Sequence, residues 1–318
     1  MNIKISIIGA GAWGTALAKA FSHKAEEIIV WGRSDISEDL KNLIEKNNRK
    51  NIKFTMSITQ ALENNILFLA IPAQKIRNFF KNFNGKLENY DIVICSKGIE
   101  KYSLKLMSEV LKELAPNNNI LVLTGPNFAS EIMLNLPAAT IIAAENLKIA
   151  QKIADSLSCE SFSLYASDDV ISAQIGGALK NIIAIACGIT IGLEFGENAR
   201  SAIITGGIAE IFKLARLKGG QLATIMGLSG IGDLNLTCNS SKSRNLKFGL
   251  DSVLNRQIPQ NSTIEGVESC ISVKQLIDKY ELNLPICQFV YDYIYNNKEA
   301  IMIKEIINNL SLINGIEE

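Results

Sequence analysis

The first half of the chain alternates short runs of apolar, mostly β-branched residues with longer amphipathic stretches. The runs at 3–8, 27–31, 66–71, 91–95, 120–124, 138–143 and 160–165, with a weaker one near 52–55, predict strands. Helical spacing of apolar positions falls between most of them, at 14–22, 36–46, 102–114 and 147–157. Buried strands that alternate with helices predict an α/β fold, an N-terminal Rossmann-type, doubly wound parallel sheet. From about Ser167 period two almost vanishes. Asp168 and Asp169 mark a helix start, where the dipole favours negative charge. Helical runs follow at 169–191, 198–218, 264–280, 286–296 and 299–310, so the C-terminal half is expected to be mostly α-helical. Between its helices, the polar, Gly/Ser/Asn-rich segment Gly227 to Asn245 reads as a long functional loop.

Length supports two domains, because 318 residues are many for one core. The pattern puts the boundary between 1–166 and 167–318. The longest apolar stretch, Ile182 to Leu193, is 12 residues and holds a Thr and two Gly. It is short of the ~20 residues a bilayer span needs, so it is expected to be a buried helix without membrane insertion. The start shows no signal peptide pattern. The 32 basic and 32 acidic residues balance, which argues against nucleic acid as a partner. The six cysteines are scattered without a CxxC pair. They fit buried thiols in a reducing cytoplasm better than zinc ligands or a disulfide framework. The single histidine, His23, falls just past the first helix. No Ser-His-Asp triad and no His-rich metal centre can be assembled from it.

Chemistry concentrates first at Gly9-Ala10-Gly11-Ala12-Trp13-Gly14, between a strand and a helix. GxGxxG in that context is a dinucleotide signature: Gly9 for the tight turn, Gly11 for close phosphate approach, Gly14 for helix–strand packing. The helix N-terminus offers unpaired N–H groups to the pyrophosphate. At the tip of the second strand the chain reads Trp31-Gly32-Arg33-Ser34-Asp35. An Arg there suits a 2′-phosphate and favours NADP; Asp35 keeps NAD open. A solvated loop role for Arg33 is the alternative.

Two polar turns follow strands of the same sheet, Ser96-Lys97-Gly98 and Gly125-Pro126-Asn127-Phe128-Ala129. Ligands of doubly wound sheets sit beyond such strand ends. Lys97 offers a cation, Gly125 close backbone approach and Asn127 a polar end. In the helical half, Lys180 has Gly176, Gly177, Ile183 and Ala184 as same-face neighbours. Three of the four are small. Room beside the ammonium and a pKa lowered by burial would suit a general acid/base; a lysine snorkelling to solvent is the bland alternative. Asp233, after the glycines of 227–232, is a candidate partner for Lys180. Ser243-Arg244-Asn245 is a candidate phosphate clamp. Glu265, after Thr263 and Ile264, is either a helix cap or a cofactor contact.

Taken together, GAGAWGTALA (9–18), SKGIE (96–100), TGPNFASEI (124–132), GGALKNIIAIACGI (176–189), NARSAIITGGIAEI (198–211), GLSGIGDLNLTC (227–238), SRN (243–245) and EGVES (265–269) resemble the bacterial NAD(P)-dependent glycerol-3-phosphate dehydrogenase family, over essentially the whole chain. The resemblance implies reversible reduction of dihydroxyacetone phosphate to sn-glycerol 3-phosphate with NADP or NAD as cofactor, feeding phospholipid synthesis in a cytoplasmic homodimer. The first domain would bind the dinucleotide, and the second would carry substrate and catalysis. Lys180 is implied as acid/base with Asp233 beside it. Lys97 and Arg244 are implied as shared cofactor and substrate contacts. Gly125, Asn127, Lys180, Asp233, Ser243 and Asn245 are implied for the substrate; Ala12, Trp13, Arg33, Ala129, Thr263 and Glu265 for the cofactor. Ala12 stands where many members have Ser, and Gly206 where the pattern expects Arg. Related β-hydroxyacid or ketopantoate-type reductases share the same halves and a catalytic lysine but need no phosphate clamp. A catalytically silent NADP sensor is the non-enzymatic alternative.

Overall fold

The computed structural model describes residues 3–46, 50–82, 87–257 and 264–310. The chain divides into two compact units, Met1–Ser96 with Met107–Val170, and Lys97–Leu106 with Ile171–Glu318. The first is built on one eight-stranded sheet: β1 (Lys4–Ile8), β2 (Glu27–Trp31), β3 (Ile52–Thr55), β4 (Ile66–Leu69), β5 (Asp91–Ile94), β6 (Asn119–Thr124), β7 (Ala138–Ala144) and β8 (Phe162–Ser167). Their spatial order is β3-β2-β1-β4-β5-β6-β7-β8. Every expected strand is present, the weak one at 52–55 included. The reason is burial on both faces: four of the five residues of β1, and the last three each of β4 and β5, are shielded from solvent, which selects the continuous apolar runs typical of parallel sheets.

Strand direction departs from expectation at one place. β6 and β7 are antiparallel, Thr124 opposite Ile141, whereas the other pairs are parallel. The connection carries only α6 (Ala129–Met133), too short for the covering crossover helix that parallel strands need. It docks beside α1 (Ala12–Phe21), where Lys19 donates to the Met133 carbonyl at 2.5 Å. The other helices of this unit are α2 (Glu38–Lys46), α3 (Ile58–Ala61), α4 (Ile76–Lys81), α5 (Met107–Leu114) and α7 (Leu147–Leu157). Phe21 anchors the core, with its ring centroid 4.9 Å from that of Phe68 and 5.9 Å from that of Phe162.

The helix expected over 102–114 begins only at Met107. Tyr102 and Leu104 take left-handed φ values of 69° and 59°, which no helix admits. Residues 97–106 instead belong to the second unit.

That unit is helical: α8 (Val170–Gly192), α9 (Gly196–Leu217), α10 (Leu222–Ile225), α11 (Asp233–Asn239), α12 (Arg244–Val253), α13 (Glu265–Tyr280), α14 (Pro285–Tyr295) and α15 (Ile303–Asn308). α8 runs 23 residues and is long and apolar enough to cross a membrane, which the 12-residue estimate missed. Yet 89% of its most apolar window is buried inside the protein, so it is the core helix of this unit. It is crossed by α12 at backbone distance. A Cβ on Gly188 would meet the Leu246 carbonyl oxygen at 2.0 Å, and one on Gly249 would meet that of Ile185 at 2.1 Å. The supposed loop 227–245 is a correction: it holds a π-turn at Leu228–Gly232, all of α11 and the start of α12. Ser243 caps α12 by accepting from the Leu246 N–H at 3.2 Å.

Candidate active site

In the first unit, Gly9 ends β1 with φ of 121°, and a Cβ there would lie 2.6 Å from the Ala70 carbonyl oxygen. Gly14, one turn into α1, would place a Cβ 1.9 Å from the Gly9 carbonyl oxygen. These two glycines let α1 close directly onto the strand. Gly11 differs, since nothing lies within 4 Å of its missing Cβ. It is the N-cap of α1 without a side-chain cap, and the first turn holds no acidic residue. The open N-terminus therefore suits an anion. Ala12 is exposed beside it, and the Trp13 Nε1 is buried with no hydrogen-bond partner. Arg33 is exposed just past β2. Open backbone donors, an orphaned indole N–H and an exposed cation fit a dinucleotide.

The turns after β5 and β6 leave the same rim of the sheet as the glycine turn, because β1, β4, β5 and β6 run parallel. Gly125 is buried against Thr140, whose Oγ1 would lie 2.7 Å from a Cβ at that position. Asn127 has both amide atoms buried and unpartnered, as has the Ser96 hydroxyl. Such groups are costly without a bond. Ala129 opens α6 directly after.

The second unit assembles a charge cluster on its own elements. Lys180 on α8 is 7% exposed. Its ammonium donates to Asp233 Oδ1 and, at 2.9 Å, to Thr237 Oγ1. Asp233, fully buried at the start of α11, also accepts from Lys97 at 2.5 Å through Oδ2. Thr237, one turn on, donates back to the Asp233 carbonyl at 2.7 Å. Two cations thus share one buried carboxylate. Burial pushes the Lys180 amine down to about 8, with Lys97 adding to the shift and Asp233 opposing it. For Lys97 burial also works against the charge, but the Asp233 carboxylate outweighs it and holds that group above the usual lysine range.

Gly176, one of the small residues beside Lys180, serves packing. A Cβ on Gly176 would meet the Ser229 carbonyl oxygen at 2.6 Å, so the 229–230 backbone fills the space expected for a ligand. A second chain of bonds adjoins the cluster. Asn181 donates to Glu265 at 3.0 Å, Asn245 donates to Asn181 at 2.9 Å, and the Gly266 N–H donates to Asn245 at 2.9 Å. Glu265 is thereby the first residue of α13 and a side-chain acceptor at once. Arg244 is exposed at the start of α12 between Ser243 and Asn245, which are both buried.

Comparison with known proteins decides the family. Residues 4–150 match the NAD-dependent glycerol-3-phosphate dehydrogenase N-terminus, and residues 169–305 match the corresponding C-terminus. The chain belongs to the NAD-dependent glycerol-3-phosphate dehydrogenase family. Among its relatives, the glycerol-3-phosphate dehydrogenase [NAD(P)+] of Parvibaculum lavamentivorans is 38% identical over 301 residues, 90% of either chain. That of Ehrlichia chaffeensis is 38% identical over 93% of this chain and 97% of its own. The crystal structure of glycerol-3-phosphate dehydrogenase from Coxiella burnetii superposes with a TM-score of 0.83 at 29% identity, covering 97% and 98% of the two chains.

Within this family member, Lys97, Lys180, Asp233, Asn245 and Glu265 are brought into two adjoining networks. Thr237 and Asn181 went unremarked in the sequence. Thr237 is legible in hindsight as the position four after Asp233 on one helix face; Asn181 is merely the neighbour of Lys180. Thr263 lies outside the described residues. Gly206, where the family pattern expects Arg, faces apolar side chains: a Cβ would meet Leu310 Cδ2 at 2.6 Å and Ile286 Cδ1 at 3.0 Å.

Proposed function

We propose that this protein interconverts dihydroxyacetone phosphate and sn-glycerol 3-phosphate with NADP or NAD, using Lys180 as the general acid/base. The carrying observation is the buried Lys97–Asp233–Lys180 cluster, a tuned amine in a family whose relatives bear that dehydrogenase name. The first unit would bind the nucleotide through Gly9, Gly11, Ala12, Trp13, Gly14, Arg33 and Ala129, with Asn127 and Gly125 offering further ligand contacts. A bound reduced nicotinamide supplies the hydride. Below about pH 8 the Lys180 ammonium is charged and gives its proton to the ketone oxygen as negative charge develops there. In the reverse direction the neutral amine takes the C2 hydroxyl proton. Asp233 aims the amine and neutralises both lysines. Lys97 remains charged and stabilises the developing oxyanion. The phosphate is assigned to Arg244, Asn245 and Ser243 at the start of α12, where a guanidinium and helix N–H groups coincide.

Six free thiols support a reducing cytoplasm as the compartment. The homodimer and the supply of glycerophospholipid synthesis belong to the same proposal. A steady-state assay tests it: NADPH or NADH oxidation with dihydroxyacetone phosphate against unphosphorylated dihydroxyacetone. The phosphate should be worth roughly a hundredfold or more in kcat/KM, the size of one or two charge-assisted bonds. Equal turnover of both ketones would favour the β-hydroxyacid-type alternative.

A further inference from the structure

The segment between β5 and α5 folds as a tight loop on the helical unit. It is closed by the antiparallel pair Ile99 and Leu106, by Glu100 N–H to Lys105 O at 2.9 Å, and by Leu104 N–H to Glu100 O at 3.1 Å. Ile99 and Leu106 are sealed in the helical core at 0% and 1% exposure. Two side chains of α13 fasten it. The buried Ser272 hydroxyl donates to the Ile99 carbonyl at 3.0 Å, and Glu268 pairs with Lys101. The left-handed backbone at Tyr102 and Leu104 persists only where surroundings over-determine it. This loop begins with Lys97, two residues before Ile99, whose ammonium reaches Asp233.

We propose that Ser272 is a positioning residue for the reaction: by holding the Ile99 carbonyl it fixes the loop that delivers Lys97 to Asp233. A buried hydroxyl in mid-helix costs free energy unless it is bonded, and Ala is the better helix former. The bond to Ile99 supplies the compensation. Its consequence reaches Lys180 through charge. With Lys97 in place, Lys180 faces a like charge and shares its carboxylate. With the loop released, Lys180 keeps the whole carboxylate and holds its proton to higher pH. The inference rests on Lys180 and Lys97 acting as proposed above.

The test is Ser272→Ala in the full chain, with dihydroxyacetone phosphate reduction followed from pH 6 to 10 and amide exchange measured over the loop. The alkaline limb should move up by about half a pH unit. KM should rise about fivefold, the size of one lost hydrogen bond, and the Glu100 amide should exchange faster. Ser272→Cys, a weak donor of similar size, should fall between the two proteins, and it decides the matter if the alanine variant does not fold. A lowered melting temperature with the limb unmoved means that Ser272 serves stability alone, which overturns the inference. Lys180→Ala separates the two levels: wild-type turnover there sinks the acid/base reading itself, whereas lost turnover beside unmoved Ser272 limbs sinks only this proposal.

Discussion

Replacing Asp233 with Asn tests the charge cluster at its centre. The substitution keeps the shape and removes the carboxylate that two ammoniums share. At about 4 Å and an effective dielectric of about 20, one unit charge is worth about 4 kcal/mol. That is about three pKa units. Lys180, already lowered to about 8 by burial and by Lys97, would then titrate lower still, by about that amount. At pH 7 its charged fraction would fall from about nine-tenths to about one-hundredth, and ketone reduction would fall roughly a hundredfold with it. The assay is initial-rate NADPH oxidation with saturating dihydroxyacetone phosphate between pH 5 and 9, alongside thermal melts, since breaking a buried ion pair costs about 3–5 kcal/mol. The expected signature is a displaced profile, with activity partly recovered on acidification. A folded Asp233→Asn protein whose alkaline limb stays near pH 8 would refute the electrostatic account.

Lys180→Ala should lower kcat by about a hundredfold or more while leaving NADPH affinity, read by fluorescence titration, nearly unchanged. Arg244→Ala should act on KM for the phosphorylated ketone, by about tenfold given the exposed guanidinium, and narrow the preference over dihydroxyacetone. Glu210 concerns stability. Burial raises its carboxyl to about 7, against the bonds it accepts from the Ile286 and Cys287 N–H groups at 2.5 and 3.0 Å and the pull of Lys213. The folded protein then keeps a proton that the unfolded chain releases near pH 4.5, so stability falls as pH rises from there to about 7 and levels off above. On the order of 3 kcal/mol is at stake, and Glu210→Gln should flatten melting temperature against pH over that window.

The central strands were legible because their burial leaves no polar face, so short β-branched runs suffice to mark them. The reversal between β6 and β7 was not, since it depends on how little helix fits between Gly125 and Pro137. The glycine turn was legible through its strand–helix setting. The helices α11 and α12 were hidden by polar composition, although Ser243 with a leucine three residues on carried a cap signal. Lys180 and Asp233 stood out by residue type, Asp233 as a candidate partner for Lys180, whereas the sharing of that carboxylate with Lys97 required the fold. The displacement of Lys97–Leu106 onto the helical unit left no trace in periodicity, because Tyr102 and Leu104 continue an apolar pattern that the backbone does not follow.

The glycine crossing of α8 and α12 carries a consequence for evolvability. Lys180 lies eight residues before Gly188 on one helix, and Arg244 lies five before Gly249 on the other. Adding even a methyl group at either glycine would wedge the pair apart, since carbonyl oxygens stand 2.0 and 2.1 Å from where it would go. The spacing of the two helices, and so of the backbones that carry Lys180 and Arg244, is thus set like a caliper by two absent side chains. On the roles proposed for Lys180 and Arg244, a substitution at Gly188 or Gly249 would change which length of phosphorylated ketone is accepted, without altering any residue proposed to touch it.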